Sequence, residues 1–143
     1  MVNITGSDNL GGTNQSADNT FGDTKFWYQW IEIPTNISNL DQAGFNTANG
    51  TLKPTTQVYN AGGTDDLNNL VSDASAAIRG IDGDTYGVRV VTTLSVTNDS
   101  RYTFRVNSDD GMRLYVNGVQ VVADDSLHAP RISTGAINLD AGQ

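Results

Sequence analysis

The chain contains no cysteine, so a disulfide framework and thiolate chemistry are both closed to it. Its single histidine, His128, excludes a zinc site built on nitrogen and sulfur ligands. Basic residues are scarce: 8 Lys and Arg stand against 16 Asp and Glu, for a formal net charge of -8. That balance argues against nucleic acid and against anionic membrane surfaces, since both require a basic face. No apolar run approaches the roughly 20 residues that span a bilayer, so membrane insertion is not expected. There is no Gly-rich phosphate loop, and a nucleophilic triad has almost no material to draw on. Many Asp residues leave room, by count alone, for a carboxylate-pair glycosidase, but no pair is singled out as acid and base. The expectation is a protein that is not an enzyme.

What the chain does have is aspartate, which accounts for nearly all of its acidic residues, together with much Asn, Thr, Gly and Val. Carboxylate and carbonyl oxygens suit calcium as the cofactor. The composition is common in bacterial exported proteins, which points to an extracellular location. At 143 residues the chain fits one domain with a core of its own. Residues 1–20, "MVNITGSDNLGGTNQSADNT", are polar and lack periodicity, and read as a linker or docking arm ahead of a domain over 21–143. No signal peptide is recognisable, so Met1 is expected to be a boundary inside a larger multidomain protein.

The domain reads as mainly β. "FWYQWIEI" (26–33) has the aromatic and β-branched content of a strand, and "TTQVYN" (55–60) and "YGVRVVTTLSV" (86–96) are further candidates. "RYTFRV" alternates Tyr102, Phe104 and Val106 against Thr103 and Arg105, while "MRLYV" alternates Met112, Leu114 and Val116 against Arg113 and Tyr115. Asn117-Gly118 is a strong hairpin signal, "VQVVA" returns from it, and "GAINL" (135–139) begins one more strand. Two short helical insertions are expected. One covers 38–48, which opens with capping residues; the other covers 64–78, with Thr64 as N-cap and Leu67, Leu70, Val71, Ala74 and Ile78 at helical spacing. The sum is an antiparallel β-sandwich.

Within "NSDDGMRLYVNGVQVV" (107–122), Asp109 and Asp110 stand side by side where a strand should end. Adjacent strand residues point to opposite faces, so the two carboxylates should diverge. One reading is a tight turn, for which Asp and Gly are favoured residues. The other is a metal site, in which a cis peptide between the two would aim both carboxylates at one ion, with Gly111 relieving crowding behind them. Asp-Asp recurs at 65–66 and 124–125, so the dipeptide alone does not decide.

"YTFRVNSDDGMRLYVNGVQVV" followed by "STGAINLDAGQ" resembles the core signature of the protective-antigen (PA-fourteen) family of β-sandwich modules. These occur in bacterial toxins, glycosidases and adhesins, and are similar to yeast flocculin lectin domains. The N-terminal half is similar to versions in large calcium-dependent RTX-type adhesins, and the likeness spans about 21–143. In the sugar-binding members, the matching Asp pair is joined by a cis peptide and holds calcium, which coordinates two neighbouring sugar hydroxyls. The resemblance therefore implies Asp109 and Asp110 as metal ligands and Asp109, Asp110 and Gly111 as the ligand-binding segment. The implied partners are cell-surface glycans of fucose, mannose or glucose type, bound at a bacterial cell surface. The family's closing strand and second ligand loop are expected beyond Gln143, which would leave a sheet edge unpaired. The competing expectation is a structural or spacer domain that keeps the fold without binding glycans.

Three further features have two readings each. "FWYQW" suits either a sugar-stacking platform or a buried strand, and the alternation of Phe26, Tyr28 and Trp30 favours core. Asp82 and Asp84 in "DGDTYG" have a spacing that would suit a second, structural calcium, although a solvated turn is the favoured reading. His128 in "DDSLHAPR" reads as an exposed loop histidine.

Overall fold

The computed structural model describes residues 3–8, 15–16, 26–33, 37, 40–45, 50–51, 53, 60–64 and 86–143. Nine strands are described: β1 (Asn3–Asp8), β2 (Gln15–Ser16), β3 (Phe26–Glu32), β4 (Asn60–Thr64), β5 (Tyr86–Val91), β6 (Ser100–Ser108), β7 (Met112–Val116), β8 (Val119–Asp124) and β9 (Arg131–Leu139). They form a four-stranded sheet ordered β2-β1-β6-β9, a three-stranded sheet ordered β4-β3-β5 and the two-stranded ribbon β7-β8. Every pairing is antiparallel. No helix among the described residues is long and apolar enough to cross a membrane.

β6 is the spine of the larger sheet. Its alternation is kept: Phe104 and Val106 are buried while Arg101 and Arg105 face solvent. β9 pairs along its whole length, from Ser100 opposite Leu139 to Ser108 opposite Arg131. That strand is longer than the "GAINL" segment alone indicates, because residues 131–134 extend the ladder along β6. On the other side of β6, residues 3–8 pair as β1, within the segment expected to be linker or docking arm.

In the smaller sheet, β3 buries Phe26 and Trp30, as the sequence alternation predicts, and Ile31 as well. Trp30 packs against Tyr86 with ring centroids 4.9 Å apart. Trp27 is 61 % exposed and stands opposite Val91, also exposed, across β3 and β5. Ile31 and Ile33 continue into a buried cluster with Ala43, against which Ile37, Leu40 and Phe45 pack.

The first helical insertion needs correction. Within 38–48 the chain makes one 3-10 turn, Leu40–Ala43, and stops at Gly44, whose φ of 88° leaves the helical region. The Gly44 carbonyl then accepts the Lys53 N–H at 2.8 Å. Of the segment 64–78, only Thr64 is described, as the last residue of β4 opposite Phe26. Residues 65–78 lie outside the described residues, as do 55–59 of the expected strand "TTQVYN".

The β7-β8 turn follows its sequence signal. Asn117 and Gly118 both have positive φ, 49° and 79°, as a type I′ hairpin turn requires. Two residues on, the ladder slips. Leu114 pairs with Val122 and Tyr115 with Gln120, so Val121 is an extra, bulged residue. The bulge brings the ribbon against β9: a Cβ at Gly135 would lie 1.9 Å from the Val121 carbonyl oxygen. Only a residue without a side chain allows this crossing. It fixes the end of β8 beside the start of β9, and the connection 125–130 runs between them.

Candidate metal and ligand site

Asp109 and Asp110 follow directly on Ser108, the last residue of β6. The peptide joining them is cis, and both residues are exposed. Ser108 is buried and its hydroxyl has no hydrogen-bond partner among the described residues. Behind the pair, Gly111 lies against the end of β8. A Cβ there would meet the Asp124 carbonyl oxygen at 2.9 Å and the Asp125 carbonyl carbon at 3.0 Å. The glycine of the motif is required by close approach to this neighbouring backbone.

The connection 125–130 reaches back to the pair. The backbone N–H of His128 donates to Asp110 Oδ1 at 2.8 Å. This loop is itself held by two arginines. From β7, Arg113 donates to Asp125 through Nε at 2.7 Å and through Nη2, and to Asp41 Oδ1 through Nη1 at 2.7 Å. From β9, Arg131 donates to Asp124 through Nε at 2.7 Å and through Nη2, while Ser133 Oγ adds a 2.7 Å hydrogen bond to the same carboxylate. Arg131 and Ser133 together hold the Asp124 carboxyl well below the usual carboxylate range, more than offsetting the opposing effect of burial. Asp125, followed by Asp41, raises the already high pKa of Arg113.

His128 departs from expectation. Its side chain is only 7 % exposed, with Nε2 3.3 Å from Asp124 Oδ2 and Nδ1 2.8 Å from the Ala129 carbonyl. The loop folds over its own imidazole, whose Nε2 lies against the Asp124 carboxylate without a hydrogen bond among the described residues. Sequence reading treated Asp124-Asp125 as a recurrence of an uninformative dipeptide and missed Arg113, Arg131 and Ser133. The available signal was the presence of arginines on both flanking strands, one per carboxylate.

The arginines set up a contrast. Among the described residues, Asp41, Asp124 and Asp125 are each ion-paired to an arginine, while Asp109 and Asp110 have no cationic partner. Calcium takes roughly six to eight oxygens and no particular angular geometry. The exposed, uncompensated carboxylates fit that ion in kind and would supply part of its shell. Among the described residues, no group of three or more acidic or histidine side chains converges as a metal cluster, so backbone oxygens, water or ligand hydroxyls would complete it. Asp82 and Asp84 lie outside the described residues.

These features define an antiparallel β domain with an open acidic pair at a strand end, backed by a charge-locked loop. Residues 43–143 match the family model described as the PA14 domain, and the chain belongs to that family. Membership is consistent with a carbohydrate-binding or structural domain, roles that are generally not enzymatic. No curated protein and no solved structure gives a match.

Proposed function

We propose that this PA14 domain is a calcium-dependent carbohydrate-binding module of a bacterial surface adhesin. In this reading its sheets stack as a sandwich, and Asp109 and Asp110 hold the ion at one end. The ion's open positions take two vicinal hydroxyls of a fucose-, mannose- or glucose-type residue on a cell-surface glycan. The observation that carries the reading is the exposed pair in the family's Ser-Asp-Asp-Gly motif, which has no cationic partner among the described residues, whereas Asp41, Asp124 and Asp125 are each matched with an arginine. Calcium bound there would supply a coordination site for the diol. The protein's own contribution is to orient the Asp110 carboxylate through the His128 N–H and to keep the backbone close through Gly111. Affinity for one monosaccharide would be weak, with multivalent display on the cell supplying strength.

The second reading is a structural or spacer domain. It is favoured by the small side-chain donor set, two carboxylates without a third among the described residues. A glycan array probed with calcium and again with chelator separates the two. Signals that require calcium support the lectin; equal signals in both conditions defeat its calcium dependence, and none in either leaves the spacer.

A further inference from the structure

We propose that Asp124, with Arg131 and Ser133, is a positioning device for the Asp109–Asp110 site, acting through the backbone N–H of His128. The inference rests on the calcium reading of that site and extends it to residues outside the motif. The His128 contact to Asp110 is made by a backbone donor at 2.8 Å. Any residue other than proline at position 128 carries that donor, so its placement depends on what fixes the loop. Asp124 ends β8, and Arg131 and Ser133 begin β9. Their hydrogen bonds therefore clamp the two ends of the connection 125–130 onto one carboxylate. The His128 ring sits against that same carboxylate, at 3.3 Å, inside the loop it helps to close. Ring and clamp together determine where the amide points. Ser126 Oγ also accepts from Arg131 at 2.8 Å, which ties the near side of the loop to the clamp.

The consequence for binding is preorganisation. A carboxylate oriented by a fixed N–H loses less freedom when it takes an ion, and removal of such outer partners typically weakens metal binding about 10–100-fold. A purely structural clamp would support the fold without affecting the ion, and this difference can be measured.

The experiment compares wild type with Asp124→Asn, Arg131→Gln and, as a control, Val122→Ala, which removes buried apolar bulk from β8 and touches neither carboxylate. Calcium affinity is measured by calorimetry well below each melting temperature. Exchange of the His128 amide is measured by NMR without calcium. The expected result is roughly 10–100-fold weaker calcium binding and loss of His128 amide protection in both clamp variants. The control should lose melting temperature yet keep affinity and protection close to wild type. Wild-type affinity and protection in the clamp variants would overturn the proposal, as would an equal loss in the control. Should either clamp variant fail to fold, Ser133→Ala replaces it, with a smaller loss in both readouts expected and no change in either refuting the role. If wild type binds no calcium, the proposed function falls. The positioning role is then decided by the amide alone, protected in wild type and control and exposed in the clamp variants.

Discussion

Replacing Gly135 with alanine tests whether the crossing of β9 over the β8 bulge exists in solution. An added Cβ would sit 1.9 Å from the Val121 carbonyl oxygen and 2.7 Å from its carbonyl carbon, both backbone atoms. Ordinary contact begins at 3.4 Å, so the strands would have to separate by more than 1 Å, with the bulged ribbon displaced from β9. No flexible side chain is available to absorb the change. Overpacking of this kind costs about 1–3 kcal/mol and sometimes more; with backbone on both sides, the upper end, about 3 kcal/mol, is expected. For a domain of this size that corresponds to a fall in melting temperature of roughly 6–12 °C. Gly118→Ala is the control, because nothing lies within 4 Å of its Cβ position and the penalty is confined to a φ of 79°. That backbone penalty is about 1–2 kcal/mol. Thermal unfolding followed by circular dichroism reads both. A Gly135→Ala loss no larger than that of Gly118→Ala would refute the close crossing, and with it the placement of the loop 125–130.

Three further outcomes are expected. Gly111→Ala, whose Cβ would press on the backbone of Asp124 and Asp125 at 2.9–3.0 Å, should weaken calcium binding and lower the melting temperature by a few degrees. Because Arg131 and Ser133 depress the folded-state pKa of Asp124, its contribution is present at neutral pH and lost as pH falls below the ordinary carboxylate value of about 3.9. Melting temperature measured from pH 6 downward should therefore fall more steeply in wild type than in Asp124→Asn, and parallel curves would contradict the assignment. Leu127, 65 % exposed and adjacent to the residue that anchors Asp110, is expected to contact the apolar face of a bound sugar. Leu127→Ala should weaken saccharide binding about two- to five-fold at unchanged calcium affinity, as loss of about one buried CH₂ group would do.

The sequence made some elements legible and concealed others for identifiable reasons. Alternation along 101–106 and the Asn117-Gly118 turn are local signals, and the structure obeys them. The Asp109–Asp110 pair was equally visible, since adjacency and a following glycine are properties of the chain itself. The bulge at Val121 was not, because it is a slip in register that appears only when β7 and β8 are paired. Gly135 has a reason to be glycine only once that bulge exists. Residues 38–48 carry good capping residues, yet Gly44 ends the turn, and Arg113 engages Asp41 from far along the chain. Asp124 and Asp125 resemble the Asp109–Asp110 pair in sequence and differ in having arginines opposite them, a distinction made by tertiary contacts alone. His128 is covered for the same reason.

The central claim is that Asp109 and Asp110 hold calcium. Calorimetric titration of calcium into wild type, Asp109→Ala and Asp110→Ala tests it most directly, with melting temperatures recorded alongside. Both side chains are exposed and neither belongs to the apolar core, so the variants should melt close to wild type. The account predicts saturable binding in wild type and its loss in each variant. Calcium binding that survives either substitution, or is absent from wild type, would contradict it.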